Sequence, residues 1–385
     1  MIILATLSLI IWIYLITARG NFWLCNQFLE SQILKEKPNV TVIIPARNEA
    51  ESISICLESL LNQDYKGYFK IILVNDQSKD DTAVRAENLA REKNQTHQLT
   101  ILNGKPLPQG WSGKLWAMSQ GVEWARQNLQ TDYFLFTDAD IKHSVDNLSQ
   151  LLAKAEKDNL DLVSLMVKLH CQSFWEKLLI PAFIFFFQKL YPFPLINNPR
   201  SKVSGAAGGC ILIREKALTR IGGIEALKQA LIDDCTLASL VKKSLPPNHG
   251  IWLGLSNTTI SLRKYPTLNP IWNMVARTAF TQLNYSTLLL IGTILGMFIT
   301  YLISPIAFLY SLYTLNIPLL IISLITLLLM ALSYYPTVKL YQLPIFYSFC
   351  LSAIAFLYTL MTIDSAFRHW QGKGGQWKGR VYSSN

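Results

Sequence analysis

The stretch Phe134-Leu135-Phe136-Thr137-Asp138-Ala139-Asp140 decides how the rest of the chain is read. An apolar run of strand length stops at two carboxylates one residue apart. In an α/β sheet, ligands collect beyond the carboxyl ends of the strands. Two acids at such an end can hold a hard divalent cation, and the cation can hold a diphosphate. The plainer reading is a strand followed by an Asp-rich turn, with Asp140 capping the next helix. What precedes and follows the stretch separates the two.

Upstream, two more runs end in the same way. Val40-Thr41-Val42-Ile43-Ile44-Pro45 has the near-continuous β-branched character of a buried parallel strand. It gives way to Ala46-Arg47-Asn48-Glu49 and then to a helical period through Leu57, Leu60 and Leu61. Phe69-Lys70-Ile71-Ile72-Leu73-Val74 ends in Asn75-Asp76-Gln77-Ser78-Lys79-Asp80-Asp81-Thr82, and a third short strand is expected near Leu99–Leu102. This alternation predicts a parallel sheet with helices on both faces, so the acid-bearing loops converge on one rim. Singly, Asn48 and Glu49 could cap one helix, and Asp76 and Asp80 the next. Three polar strand ends on one rim are harder to reduce to capping. Residues 144–170 add a further helix and strand.

The 385 residues carry a formal charge of +10 and are 51% hydrophobic. The pI is near 9.2 and the mean hydropathy is +0.25, with apolar residues gathered toward the two ends. The basic residues form no dense run, which argues against nucleic acid as a partner. An anionic membrane surface and a phosphate-bearing substrate remain as counter-charges. Cys25, Cys56, Cys171, Cys210, Cys235 and Cys350 contain no CxxC pair and read as reduced, small side chains on the cytosolic side or in the membrane.

Residues 1–19 read as an N-terminal transmembrane anchor: Met1–Ala18 is uncharged and Arg19 closes it. No basic n-region or small-x-small cleavage site suggests a signal peptide. Positive charge after the anchor places the next domain in the cytoplasm, at the plasma (inner) membrane. A linker, residues 20–38, leads to that domain. Phe174–Phe193 is rich in aromatics but interrupted by Glu176, Lys177, Gln188 and Lys189, and carries Pro181 and Pro192. It is expected to be a helix in the membrane interface, the alternative being a buried core helix. Tyr285–Val338 contains no Asp, Glu, Lys, Arg or His. Residues 285–364 read as C-terminal transmembrane helices, near 286–309, 316–334 and 344–363. The lack of charge within them argues against a transporter or proton pump. A basic tail, 365–385, carries Arg368, Lys373, Lys378 and Arg380 with Trp370 and Trp377. Three spans would put it outside, whereas the positive-inside bias draws it inside. Taking it as inside requires one C-terminal segment to be re-entrant or interfacial.

In order and spacing, Pro45-Ala46-Arg47-Asn48-Glu49, Val74 to Asp80, Gly113-Lys114 and Asp138-Ala139-Asp140 together resemble the family 2 glycosyltransferases of the GT-A fold, over residues 38–284. Gly110-Trp111-Ser112-Gly113-Lys114-Leu115-Trp116-Ala117 and the membrane layout look most like the hopene-associated and carotenoid branch. The resemblance implies an α/β fold: a Rossmann-like, mostly parallel sheet with helices on both faces. It implies a nucleotide-sugar donor, expected to be a UDP-sugar, a lipid acceptor, and Mg²⁺ or Mn²⁺. Asp76 would contact the base, with Pro45 and Glu49 against base and ribose. Lys114 would lie near the pyrophosphate, and Asp138 and Asp140 would meet the ribose and the metal-bound diphosphate. Asn75 stands where many relatives have Asp.

Ser204-Gly205-Ala206-Ala207-Gly208-Gly209-Cys210 is small enough for a backbone to approach a ligand. Relatives hold the donor sugar or acceptor beside this loop, although close strand packing explains it equally well. Asp233 and Asp234 open a helix, where the dipole stabilises acids as simple caps. The resemblance makes Asp234 the general base of an inverting transfer, supported by Asp233. The QxxRW sequence of many processive synthases is not met, since Thr278 follows Arg277 and no Gln stands three before it. That argues against a polymer synthase. It leaves Arg277 as a candidate diphosphate contact or an interfacial Arg. The expected function is transfer of a single sugar to a hopanoid-, carotenoid- or glycerolipid-like hydroxyl. A polyprenyl-phosphate acceptor, and a non-catalytic membrane scaffold with a degenerate nucleotide-binding fold, are the alternatives.

Overall fold

Strands form where β-branched and aromatic runs can be buried on both faces, and β1 (Val40–Ala46) and β4 are buried along their whole length. A computed structural model of the protein describes residues 1–372 and the backbone of 376, 377, 380 and 381. The side chains of Lys373, Trp377, Lys378 and Arg380 in the basic tail therefore lie outside the described residues.

After α1 (Ile2–Thr17), β1 is followed by α2 (Ile53–Leu61), β2 (Phe69–Asn75), α3 (Thr82–Glu92), β3 (Leu99–Asn103), α4 (Gly113–Asn128) and β4 (Tyr133–Thr137). Then come β5 (Ile141–Lys142), α5 (Asn147–Lys157), β6 (Leu160–Lys168), α6 (Phe174–Leu190), α7 (Phe193–Ile196), β7 (Cys210–Arg214) and α8 (Glu215–Arg220). The domain closes with α9 (Asp233–Lys243), β8 (Gly250–Ser261) and α10 (Leu268–Ala276).

The eight strands make one sheet in the order β3-β2-β1-β4-β7-β6-β8-β5. β7 runs against β4 and β6, and β5 against β8; the remaining strands share one direction. The reversal of β7 matters for function. Cys210 at its start pairs with Thr137 at the end of β4. The small-residue loop before β7 therefore reaches the same rim as the carboxyl ends of β1, β2, β4 and β8.

One sheet face is covered by α2, α3 and α5 through Leu57, Leu60, Ala86 and Leu151. The other carries α4, α6 and α9, and its apolar core continues without a break into Tyr301, Met330, Tyr334, Tyr358 and Met361. Those residues belong to the C-terminal helices. There α11 (Thr287–Met297), a π-helical turn at Phe298–Leu302 and α12 (Ile303–Thr314) form one 28-residue apolar segment. It is followed by α13 (Ile317–Leu340) and by Ile345–Trp370, which contains α14 (Leu351–Trp370). All three are long and apolar enough to cross a bilayer, as is Phe174–Ile196. α1, at 16 residues, is shorter than the roughly 20 a bilayer core requires.

The π turn has a local cause. In its register the N–H of residue 305 would serve the Thr300 carbonyl, and residue 305 is Pro. That carbonyl instead accepts the Trp12 indole N–H at 2.8 Å and the Ser8 hydroxyl at 3.4 Å, so α1 completes a defect in a distant helix.

Phe174–Phe193 takes up, in part, the buried-core alternative. α6 continues through Pro181 without breaking and turns much of its aromatic side inward, with Phe185 fully buried against Phe22 and Tyr334. Glu176 is also buried. Its carboxylate accepts the backbone N–H of Gln172, Ser173 and Tyr265 and meets His170 Nδ1. The helix-capping alternative for Asp140 does not hold, because the chain beyond it forms β5 and not a helix.

Candidate active site

The rim is built from loops that fasten one another. Asn48 and Gln77, at the ends of β1 and β2, both have φ of 52°, a left-handed conformation that Asn tolerates better than most residues. The Asn48 N–H donates to Ser78 Oγ at 3.0 Å, and Asn48 Oδ1 accepts the Lys79 N–H at 2.8 Å. The Glu49 N–H donates to Thr82 Oγ1 at 2.8 Å, and the Ala50 N–H to Asp80 Oδ2 at 3.0 Å. Asp80 is thus structural. Asp76 is wholly buried, with Arg47 Nη1 at 2.7 Å from its carbonyl and 3.8 Å from its carboxylate. Glu49 accepts the Ser52 hydroxyl at 3.1 Å and faces the cleft beside Pro45.

At the end of β4, a buried network fixes Thr137. His143 Nε2 lies 3.0 Å from Thr137 Oγ1, His143 Nδ1 lies 3.0 Å from Asn147 Nδ2, and Thr137 donates to the Gly209 carbonyl at 2.9 Å. Burial drives His143 down to about 3, so it is neutral. The two acids that follow each have a cation. Lys114, in the first turn of α4, reaches Asp138 Oδ1 at 2.7 Å. Arg263, just past β8, donates from Nε to Asp140 Oδ2 at 2.9 Å and approaches Glu49 Oε1 to 3.5 Å. Lys114 is not a solvated surface lysine, since its side chain is only 19% exposed. Burial pulls its pKa down, but Asp138 and Asp233 outweigh that and hold the ammonium well above the usual lysine range.

Asp233 Oδ2 lies 3.8 Å from Lys114 Nζ. Asp234 Oδ2 accepts the Gly208 N–H at 2.8 Å, and Oδ1 accepts the Cys235 N–H at 2.7 Å. The N-cap position of α9 is Ile232, and Asp234 takes one first-turn N–H of the helix while its other oxygen faces the loop. Desolvation, then repulsion from Asp233, pushes Asp234 up to about 6. A Cβ at Gly208 would sit 3.3 Å from Asp234 Oδ2 and 3.4 Å from Lys114 Nζ, whereas one at Gly209 would meet Val167 at 3.1 Å. The loop therefore answers to both earlier readings: Gly208 opens onto the cleft and Gly209 packs against β6.

These groups line a cleft of about 860 Å³. Part of its lining is apolar, with Phe183 and Phe187 from α6 and Met274 from α10. Three further cations line it: Lys264, Arg277 after α10, and Arg368 from α14. Arg368 pairs with Asp364 at 2.8 Å and donates to Asn273 Oδ1 at 2.7 Å. Asp76 does not line this cleft; Pro45, Glu49, Lys114, Asp138, Asp140, Asp233, Asp234 and Arg277 do. Arg263 and Lys264 were not singled out from the sequence, and Arg368 only as part of the basic tail. The available signal was the basic pair at 263–264 after a Thr- and Ile-containing run of strand character.

Among the described residues no three His, Cys, Asp or Glu side chains converge as a metal site. Mg²⁺ and Mn²⁺ bind through one or two carboxylates plus substrate phosphates. Asp138 and Asp140 suit a cation that arrives with a diphosphate better than one held by protein alone.

Residues 41–222 match the sequence model of glycosyl transferase family 2. An N-acetylglucosaminyltransferase of Rhizobium leguminosarum bv. viciae is 34% identical over 118 residues, 30% of this chain and 25% of that protein. The uncharacterized glycosyltransferase EpsJ of Bacillus subtilis (strain 168) is 31% identical over 126 residues, 33% of each chain. The matches thus span only a quarter to a third of these relatives. The mannosyltransferase PcManGT from Pyrobaculum calidifontis, solved in complex with GDP-Man and Mn²⁺, shares the fold over 96% of this chain and 97% of its own, with a TM-score of 0.54 at 16% identity.

Proposed function

We propose, from the match of residues 41–222 to glycosyl transferase family 2 and the fold shared with a mannosyltransferase, an inverting enzyme that moves a single sugar from a nucleotide donor to a lipid hydroxyl at the cytoplasmic face of the plasma membrane. The observation that carries the reading is Asp234. Two backbone N–H groups aim its carboxylate into the cleft, and its pKa near 6 leaves it ionised at neutral pH yet basic enough to take a hydroxyl proton. Pro45 and Glu49 form the nucleoside end of the cleft, which Asp76, wholly buried, does not line. Lys114 places a fixed cation between Asp138 and Asp233, close to where pyrophosphate charge is expected. A divalent cation held by Asp138 and Asp140 would neutralise charge growing on the leaving diphosphate. The apolar part of the cleft lining receives the acceptor, a hopanoid-, carotenoid- or glycerolipid-like alcohol.

Asp234→Asn tests this directly. Turnover into lipid, followed with radiolabelled sugar, is expected to fall about 10²–10⁴-fold while calorimetric donor affinity is unchanged. Donor affinity lost in proportion would make Asp234 a donor ligand instead. A second reading draws on Lys264, Arg277 and Arg368 in the cleft lining. Such cations suit a polyprenyl phosphate, whose oxygen is already ionised and needs no strong base. Near-full turnover of Asp234→Asn would favour it. Mass spectrometry of lipids from cells with and without the protein identifies the acceptor.

A further inference from the structure

Arg263 lies where no motif points. The end of β8 pairs with β5 through Ile141 and Ser261, and the Leu262 N–H donates to the Asp140 carbonyl at 2.7 Å. The backbone therefore holds Arg263 beside Asp140 whatever its side chain does. The guanidinium spans two acids, at 2.9 Å from Asp140 Oδ2 and 3.5 Å from Glu49 Oε1. The two carboxylates are only 11% and 14% exposed, whereas Arg263 is 43% exposed, so the cation is the partner with room to move.

Resting on the nucleotide-sugar reading above, we propose that Arg263 makes metal binding depend on the donor: it occupies the Asp140 oxygen that a divalent cation needs, and yields that oxygen when a diphosphate offers the guanidinium a new partner. A guanidinium and a hard cation on one carboxylate repel each other, so each weakens the hold of the other on Asp140. Asp138 is already engaged by Lys114, so the cleft wall presents acids whose charge is balanced from within. A metal arriving alone must displace Arg263 from Asp140 and leave it with only the longer contact to Glu49. A metal arriving with a diphosphate brings phosphate oxygens that accept from a planar guanidinium fork. Binding of the two is then cooperative, and by linkage each raises the other's affinity by the same factor.

The test uses the full-length protein in detergent micelles, with Mn²⁺ followed by electron paramagnetic resonance and with UDP and GDP as probes. In the unsubstituted protein, nucleotide is expected to raise Mn²⁺ affinity about 5–150-fold. Arg263→Gln keeps a hydrogen-bonding side chain but removes the charge. It should bind Mn²⁺ alone about tenfold tighter and lose most of the coupling. Arg263→Lys, which keeps the charge, should bind Mn²⁺ alone as weakly as the unsubstituted protein. Equal Mn²⁺ affinity in Arg263→Gln and the unsubstituted protein overturns the inference. So does Mn²⁺ affinity in the unsubstituted protein that is indifferent to nucleotide, a measurement that needs no variant. If neither UDP nor GDP binds the unsubstituted protein, the nucleotide-sugar reading falls and the inference with it.

Discussion

At the scale of single residues, the cleft separates groups that titrate from groups that do not. Asp234 sits near 6 because desolvation and Asp233 both oppose its charge. Acting as a base, it must be ionised, so kcat/KM is expected to fall as pH drops below about 6. Asp233→Asn removes the repulsion and should move that acidic limb to lower pH; a pH–rate profile of the two proteins checks it. His143 is the opposite case. Its folded pKa of about 3 lies below the 6.5 of a free histidine, so its contribution is fully present above pH 6.5 and lost as pH falls. At pH 5 the loss is about 2 kcal/mol. The fall in unfolding temperature between pH 7 and pH 5 should be smaller in His143→Gln than in the unsubstituted protein. Asp138, Asp140 and Asp234 were legible in the sequence because each stands where a regular element starts or stops. Arg263 was not. Its position depends on the pairing of β5 with β8, whose sequences lie far apart, and no local pattern encodes such a pairing.

Among the elements, α6 gave the least away. Pro181 and four polar residues argue against a continuous packed helix, yet Pro is tolerated when neighbouring helices enclose it. Glu176, Gln188 and Lys189 have partners contributed from elsewhere. Lys189 Nζ meets Tyr301 Oη at 2.8 Å, and Glu176 takes the N–H of Tyr265, two residues beyond Arg263. Glu176 thereby joins the start of α6 to the cleft wall, and with Ser173 it forms a reciprocal capping box. Glu176→Ala leaves three backbone donors without their acceptor. It is expected to cost about 2–4 kcal/mol, seen as a lowered unfolding temperature in micelles. The strands, by contrast, were readable to within a residue or so, because β1, β2 and β4 are buried on both faces and leave an unbroken apolar signature.

For the whole molecule, the question is which segments cross the membrane. Tyr341, just after α13, accepts the Leu169 N–H at 3.3 Å, and Trp272 donates to Asp364 near the end of α14 at 2.7 Å. Both flanks of Ile345–Trp370 therefore face the sheet domain. Leu315, between α12 and α13, is 84% exposed at the opposite ends of those helices. Apolar length alone suggested three C-terminal crossings; from the two flanks on one side we propose two, with the last segment returning without crossing. This would reconcile a basic tail with the positive-inside bias. In a background free of native cysteines, Gln342→Cys and Gln371→Cys should react with an impermeant maleimide from the sheet-domain side of sealed vesicles. Leu315→Cys should react from the other. Labelling of Gln342→Cys and Gln371→Cys from opposite sides would restore a third crossing.

The bond between the Trp12 indole and the Thr300 carbonyl joins residues 288 positions apart. At about 5–20 residues per second, ribosomal synthesis of the intervening chain takes on the order of 15–60 s. α1 is therefore made long before its partner exists. For that interval its indole and the Ser8 hydroxyl are without the partners they have in the finished fold. The Thr300 carbonyl, released by Pro305, is in turn a docking point prepared for a helix already waiting. Maturation of the protein is then a ring closure, in which the earliest segment made is among the last to settle.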